Sequence, residues 1–133
     1  MNVIYKLNKP QDVIFDYLTD MEKFVSIHPV ISKMQKIGNN NYKVYETLKF
    51  GFIPYSFTYA ATVESDLPNR LVMMKAVVMG FNKINICFKI TEAMGQTIVH
   101  EEVSFKTLLP IKGMMRKVFR EQHALLFKNL DGL

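Results

Sequence analysis

The sequence predicts an α+β domain in which an antiparallel sheet, mostly consecutive hairpins, carries a long C-terminal helix on its dry face. Three observations lead there. From Lys43 to Leu108, apolar and polar residues alternate in segments separated by turn residues, the mark of strands with one buried face. The closing segment IKGMMRKVFREQHALLFKNL places apolar side chains at helical spacing opposite a basic face. Near the N-terminus, two short helical patterns interrupt the strands.

The elements follow in order. VIYKL, Val3 to Leu7, reads as a strand that Asn8-Lys9-Pro10 ends. Val13, Ile14, Tyr17 and Leu18 then recur at helical spacing. Thr19-Asp20 offers side-chain oxygens to cap a second helix from Met21 to about Ser26. Pro29 disfavours helical geometry at His28, so the chain leaves the helix there, and the His28 ring is expected to bond helix carbonyls at that end. IGNNNY and SDLPNR read as turns, as do Gly80-Phe81-Asn82 and Ala93-Met94-Gly95-Gln96. Tyr55, Phe57, Tyr59, Ala61 and Val63 share one face of a strand; Ile84, Ile86, Phe88 and Ile90 share a face of another. The dry arc of the last helix is read as Ile111, Met114, Met115, Val118, Phe119, Leu125, Leu126 and Leu130. An arc that wide is a core stripe, because without it the sheet would be uncovered.

Composition narrows the class. With 133 residues, 49% of them hydrophobic, the chain is read as one domain over 1–133, with enough apolar material for a core. No apolar run reaches the roughly 18 residues of a membrane span, and a lysine inside the first apolar stretch argues against a signal peptide. A single cysteine, Cys87, cannot form an internal disulfide, which fits a reducing cytoplasm. A net charge of +5 biases the chain toward acidic partners, but the cations are scattered and no aromatic-plus-basic nucleic-acid motif is present. Nine methionines beside ten phenylalanines suggest an interior lined with adaptable side chains.

The stretch PQDVIFDYLTDMEKFVSIHPVI, Pro10 to Ile31, with its proline-initiated helix, Val-Ile-Phe, terminal Asp and closing His-Pro, resembles the first helix pair of the START-like, polyketide-cyclase-like superfamily. The element order resembles that superfamily along the whole chain. The resemblance implies a helix-grip fold, a curved antiparallel sheet wrapped around the C-terminal helix with a cavity between them. It does not fix the chemistry, since the superfamily includes lipid carriers and cyclases.

A site in such a cavity should show as polar groups on the dry face, because burying them unpaired costs free energy. Glu46 shares parity with Val44 and Leu48, and Glu101 with Val99 and Val103. Gln122 projects near the centre of the helix stripe, where it could meet a ligand or satisfy Glu101; Asn129 projects similarly. Phe57, Tyr59, Met74, Phe88, Phe119 and Gln122 are the expected lining, with Glu46 and Glu101 as polar anchors. No metal site is expected, because His28, His100 and His123 lack ligand spacing. By parity His100 should be exposed and Cys87 on the outer face, while His123 projects to the edge of the stripe. No cofactor motif occurs.

The leading reading is a non-catalytic binder or carrier of a small, mostly apolar molecule (lipid, sterol-like, quinone or polyketide-like). The alternative is a cyclase or dehydratase with a buried glutamate, Glu46 or Glu101, as general base. A third reading is an interaction domain docking a protein or membrane surface; in a carrier, the basic back of the last helix would touch anionic headgroups transiently.

Overall fold

A computed structural model describes residues 1–133, the Phe50 side chain excepted. The elements run β1 (Asn2–Leu7), α1 (Gln11–Thr19), α2 (Met21–Ile27), β2 (Ile31–Gly38), β3 (Asn41–Phe50), β4 (Ile53–Asp66), β5 (Leu71–Val78), β6 (Asn82–Ala93), β7 (Gln96–Lys106) and α3 (Lys112–Asp131). The strands form one seven-stranded sheet in the order β1-β7-β6-β5-β4-β3-β2, with β2 to β7 linked as successive hairpins. Every pairing is antiparallel. β1 and β2 therefore lie on opposite edges, and α1 and α2 carry the chain from one to the other.

Local chemistry accounts for these boundaries. Pro10 sits at the α1 N-cap with its φ already fixed near the helical value. Asp20 accepts from the backbone N–H groups of Glu22 and Lys23, which caps α2. Asn40 takes a positive φ of 60°, which asparagine tolerates, and turns β2 into β3. Met79 (φ 55°) and Gly80 (φ 74°) turn β5 into β6, which puts both at the same end of the sheet as the start of α3.

The core divides along α3. Its C-terminal half buries Leu126, Phe127 and Leu130 among Leu7, Ile14, Leu18 and Phe24. Each such side chain contributes about 1.5–3 kcal/mol by leaving water. This end is also tethered: Asp131 accepts from the N–H groups of Asn8 (2.8 Å) and Lys9 (3.1 Å), and Asn129 Nδ2 donates to the Ile27 carbonyl at 3.0 Å. The N-terminal half is held more lightly, by Met115 and Phe119 against Ile84, Val103 and Phe105.

The helix stripe departs from its sequence reading. Leu125 and Met114 are exposed, whereas His123 and Phe127 are buried. The inward line runs through Phe119, His123, Phe127 and Leu130, so the centre lies one residue past Gln122. The edge strand β2 is exposed over most of its length and shows no clean alternation, which is why the sequence did not declare it.

Candidate functional site

Between the sheet and the N-terminal half of α3 lie two adjoining chambers. The inner one, about 60 Å³, is walled by side chains that include Phe24, Val44, Met74 and Phe119. The outer one, about 220 Å³, is bounded by Leu48, Phe57, Val78, Met115 and Val118. Glu46, Tyr59, Ile84, Phe119 and Gln122 line both, so the chambers lie side by side with these side chains between them. Alternation along β4 grades the wall. Ala61 and Val63 are buried at the inner end, Tyr59 and Phe57 half-buried, and Tyr55 exposed at the mouth. Five of the nine methionines line the chambers, Met34 and Met74 within and Met79, Met114 and Met115 toward the mouth.

Polar groups gather at the inner end. Tyr59 Oη donates to Glu46 Oε1 at 2.9 Å. Burial pushes the Glu46 carboxyl above its ordinary value, against the opposing effects of the Tyr59 hydrogen bond and nearby His123. Burial, then the Glu46 charge, pushes the Tyr59 hydroxyl up as well. On the neighbouring wall Glu101 is 0% exposed. Its Oε2 accepts from His123 Nδ1, and its Oε1 from the Tyr5 hydroxyl at 3.4 Å. The result is a buried Tyr5–Glu101–His123 chain whose imidazole forms part of the inner chamber wall. Burial and then the Glu101 charge push the Tyr5 hydroxyl upward.

His28 completes the group. Its Nδ1 accepts the N–H groups of Val30 (3.2 Å) and Ile31 (3.0 Å), and its ring lines the inner chamber. The expected bond to helix carbonyls is therefore corrected. An Nδ1 that accepts two amides has no proton to give a carbonyl, and Asn129 takes the Ile27 carbonyl instead. Burial, reinforced by His123, lowers the His28 pKa from 6.5 to about 3. The sign follows directly: stability from this group is complete above pH 6.5 and is lost as pH falls toward 3, because the unfolded chain takes up a proton that folded His28 refuses. His28→Asn keeps an acceptor for the two amides and removes the titration. Urea unfolding across that window should give a shallower pH slope than wild type; an unchanged slope would contradict the assignment.

Of the expected lining, Phe57, Tyr59, Met74, Phe119, Gln122 and Glu46 border the chambers. Phe88 does not. It is fully buried behind them, its ring 5.8 Å from that of Phe127 and 6.0 Å from that of His123. Glu101 has the expected inward face but reaches the chamber only through His123. Gln122 does not satisfy Glu101, and its side chain makes no hydrogen bond among the described residues. Asn129 serves as a tether instead of a wall. His100 is exposed and Cys87 half-buried, away from the chambers. Tyr5 and His123 are not among the expected site residues, and for His28 the helix-end role is preferred over a ligand contact. The available signal was Glu101 itself, since a carboxylate on a dry face requires a buried partner. Among the described residues, no cluster of three or more His, Cys, Asp or Glu has metal-binding geometry, and no helix is long and apolar enough to cross a membrane.

Residues 5–121 match the family model described as CoxG, a carbon monoxide dehydrogenase subunit. No curated protein matches the sequence. Among solved structures, a START superfamily protein from Mycobacterium smegmatis superposes with a TM-score of 0.80 at 15% identity, over 99% of this chain and 94% of that one. Ara h 8.0201 gives 0.80 at 15% identity, with the same coverage of 99% and 94%. The Zhui aromatase/cyclase from a Streptomyces species gives 0.73 at 10% identity, over 99% of this chain and 90% of that one. At these identities the likeness establishes the fold alone, a helix-grip fold.

Proposed function

The chain belongs to the CoxG family of carbon monoxide dehydrogenase subunits, and on that premise we propose that it binds and carries a small, mostly apolar molecule between its sheet and α3. The carrying observation is the pair of adjoining chambers, mostly apolar along their walls, with Glu46, Tyr59 and two histidines at the inner one. Such a site takes affinity from apolar burial, at about 25 cal/mol per Å², and orientation from a few polar groups. The ligand classes that fit are lipid, sterol-like, quinone and polyketide-like molecules, and residues 1–133 act as one cytoplasmic binding unit. Native mass spectrometry of the purified protein, followed by thermal shift with one member of each class, tests this. A bare protein mass with no thermal shift from any of them would sink it.

The mouth suggests how such a ligand is loaded. The β3–β4 turn, the β5–β6 turn and the β7–α3 loop share one end of the sheet, where Phe52, Met79, Phe81 and Leu108 are exposed. Lys49, Lys83, Lys106 and Lys112 flank them. Apolar tips within a basic rim suit transient contact with an anionic bilayer. The protein should co-sediment with phosphatidylglycerol vesicles and not with phosphatidylcholine vesicles; equal partitioning would argue against this route.

A second reading is supported by the Glu46–Tyr59 pair. A carboxyl raised by burial and held by a phenol has the character of a general base acting on an acidic C–H. In D2O, such a base would catalyse deuterium exchange next to a carbonyl of the bound ligand. Glu46→Gln should abolish that exchange while leaving affinity within about twofold. Exchange that persists in the variant excludes Glu46 as the base.

A further inference from the structure

The two histidines of the inner chamber are fixed in complementary states. Backbone amides only donate, so His28 Nδ1, accepting two of them, carries no proton, and the ring's hydrogen lies on Nε2. His123 presents the reverse. Its Nδ1 hydrogen goes to Glu101, whose other oxygen is taken by Tyr5, so Nε2 is left as the ring's basic nitrogen. Neither Nε2 has a hydrogen-bond partner among the described residues. Neither is sealed off, because the one fully buried side-chain polar atom without a partner among those residues is an Arg70 guanidinium nitrogen.

The ring centroids lie 6.3 Å apart at an interplanar angle of 85°, and both rings line the inner chamber. An oxygen in hydrogen-bonding range of an Nε2 lies roughly 4 Å from its ring centroid, so the centroid spacing falls within the roughly 8 Å that one bridging oxygen spans. From this juxtaposition we infer that His28 and His123 form a subsite for an acidic hydroxyl, phenolic or enolic, at the inner end of the apolar ligand. The inference rests on the carrier reading and specifies the ligand's polar end.

The selection is chemical. A hydroxyl gives its proton to His123 Nε2 and accepts from His28 Nε2–H. A carbonyl or ether has no proton for His123. An ammonium has no lone pair for His28. A carboxylate would add a third acidic group beside Glu46 and Glu101. When the hydroxyl is acidic, its proton passes from oxygen to His123 Nε2. The O–H bond breaks, the N–H bond forms, and the new imidazolium faces the Glu101 carboxylate while His28 holds the oxyanion. No other reactant is required.

The test compares 2-naphthol with 2-methoxynaphthalene, which keeps the ring system and loses the proton. Wild type should bind the naphthol at least about tenfold more tightly, as a buried pair of hydrogen bonds warrants. His123→Asn keeps an amide donor for Glu101, and His28→Asn keeps an acceptor for the turn amides; both remove Nε2. In each, the preference should fall to about twofold, a ratio that altered stability alone would not move. Equal affinities in wild type, or a preference surviving in both variants, overturns the hydroxyl subsite while leaving the apolar chamber standing. If neither compound binds up to its solubility limit, the carrier reading fails and the subsite with it.

Discussion

His123→Ala is expected to lower the unfolding free energy by about 3–5 kcal/mol, the cost of leaving a buried charge without its partner. Glu101 has no access to solvent, and with the imidazole gone only the Tyr5 hydroxyl remains to it. The truncation also opens a void among three aromatic rings: Phe119, Phe88 and His28 have centroids 5.1, 6.0 and 6.3 Å from that of His123. Charge and cavity effects therefore act in the same direction. The double variant Glu101→Leu/His123→Phe separates them. It removes the carboxylate together with its hydrogen-bond partner and refills the volume, and replacing both partners of a buried hydrogen bond by apolar groups of similar shape is often nearly neutral in stability. Urea titrations should place the double variant near wild type and well above the single one. A loss of less than about 1 kcal/mol for His123→Ala would mean that Glu101 is hydrated or otherwise paired.

Val118→Trp should abolish ligand binding with little change in stability. Val118 is half-buried on α3 and lines the outer chamber, so an indole there has about 220 Å³ to occupy without displacing the packed end of the helix. A ligand denied about 100 Å² of apolar burial loses roughly 2.5 kcal/mol, close to a hundredfold in affinity. Unfolding free energy should stay within about 1 kcal/mol of wild type, because the site is already half in water. Retention of full affinity by this variant would place the ligand elsewhere.

Much of this architecture is readable from pattern alone, for identifiable reasons. The parity of Tyr55 through Val63 and of Ile84 through Ile90 reports which face is dry, because successive side chains of a regular strand point to opposite faces. Parity likewise turns Glu46 and Glu101 inward. It cannot say what lies in front of an inward residue. Phe88 has the same parity as the wall residues, yet His123 and Phe127 cover it. The helix is less forgiving. Counting Leu125 into the stripe and leaving Phe127 out shifts its centre by one residue and exchanges His123 for Gln122. The Tyr5–Glu101–His123 chain joins β1, β7 and α3, and its partners are 96 and 22 residues apart. No local spacing encodes such a contact. β2 escaped notice because an exposed edge strand is under little pressure to alternate.

The unequal fastening of α3 makes it a hinged beam. Asp131 and Asn129 bolt its far end to the β1–α1 junction and to α2, while Leu126, Phe127 and Leu130 fill the core beside them. The near end, from Lys112 to Phe119, rests on the rim of the cavity with most of its surface in water. Lifting Met115 and Phe119 from their seats would widen the outer chamber and leave the clamp at the other end undisturbed. The work of opening is set by a handful of contacts, far below the cost of global unfolding. Access to the chambers and stability of the fold are thus set at opposite ends of one helix, each adjustable from its own end.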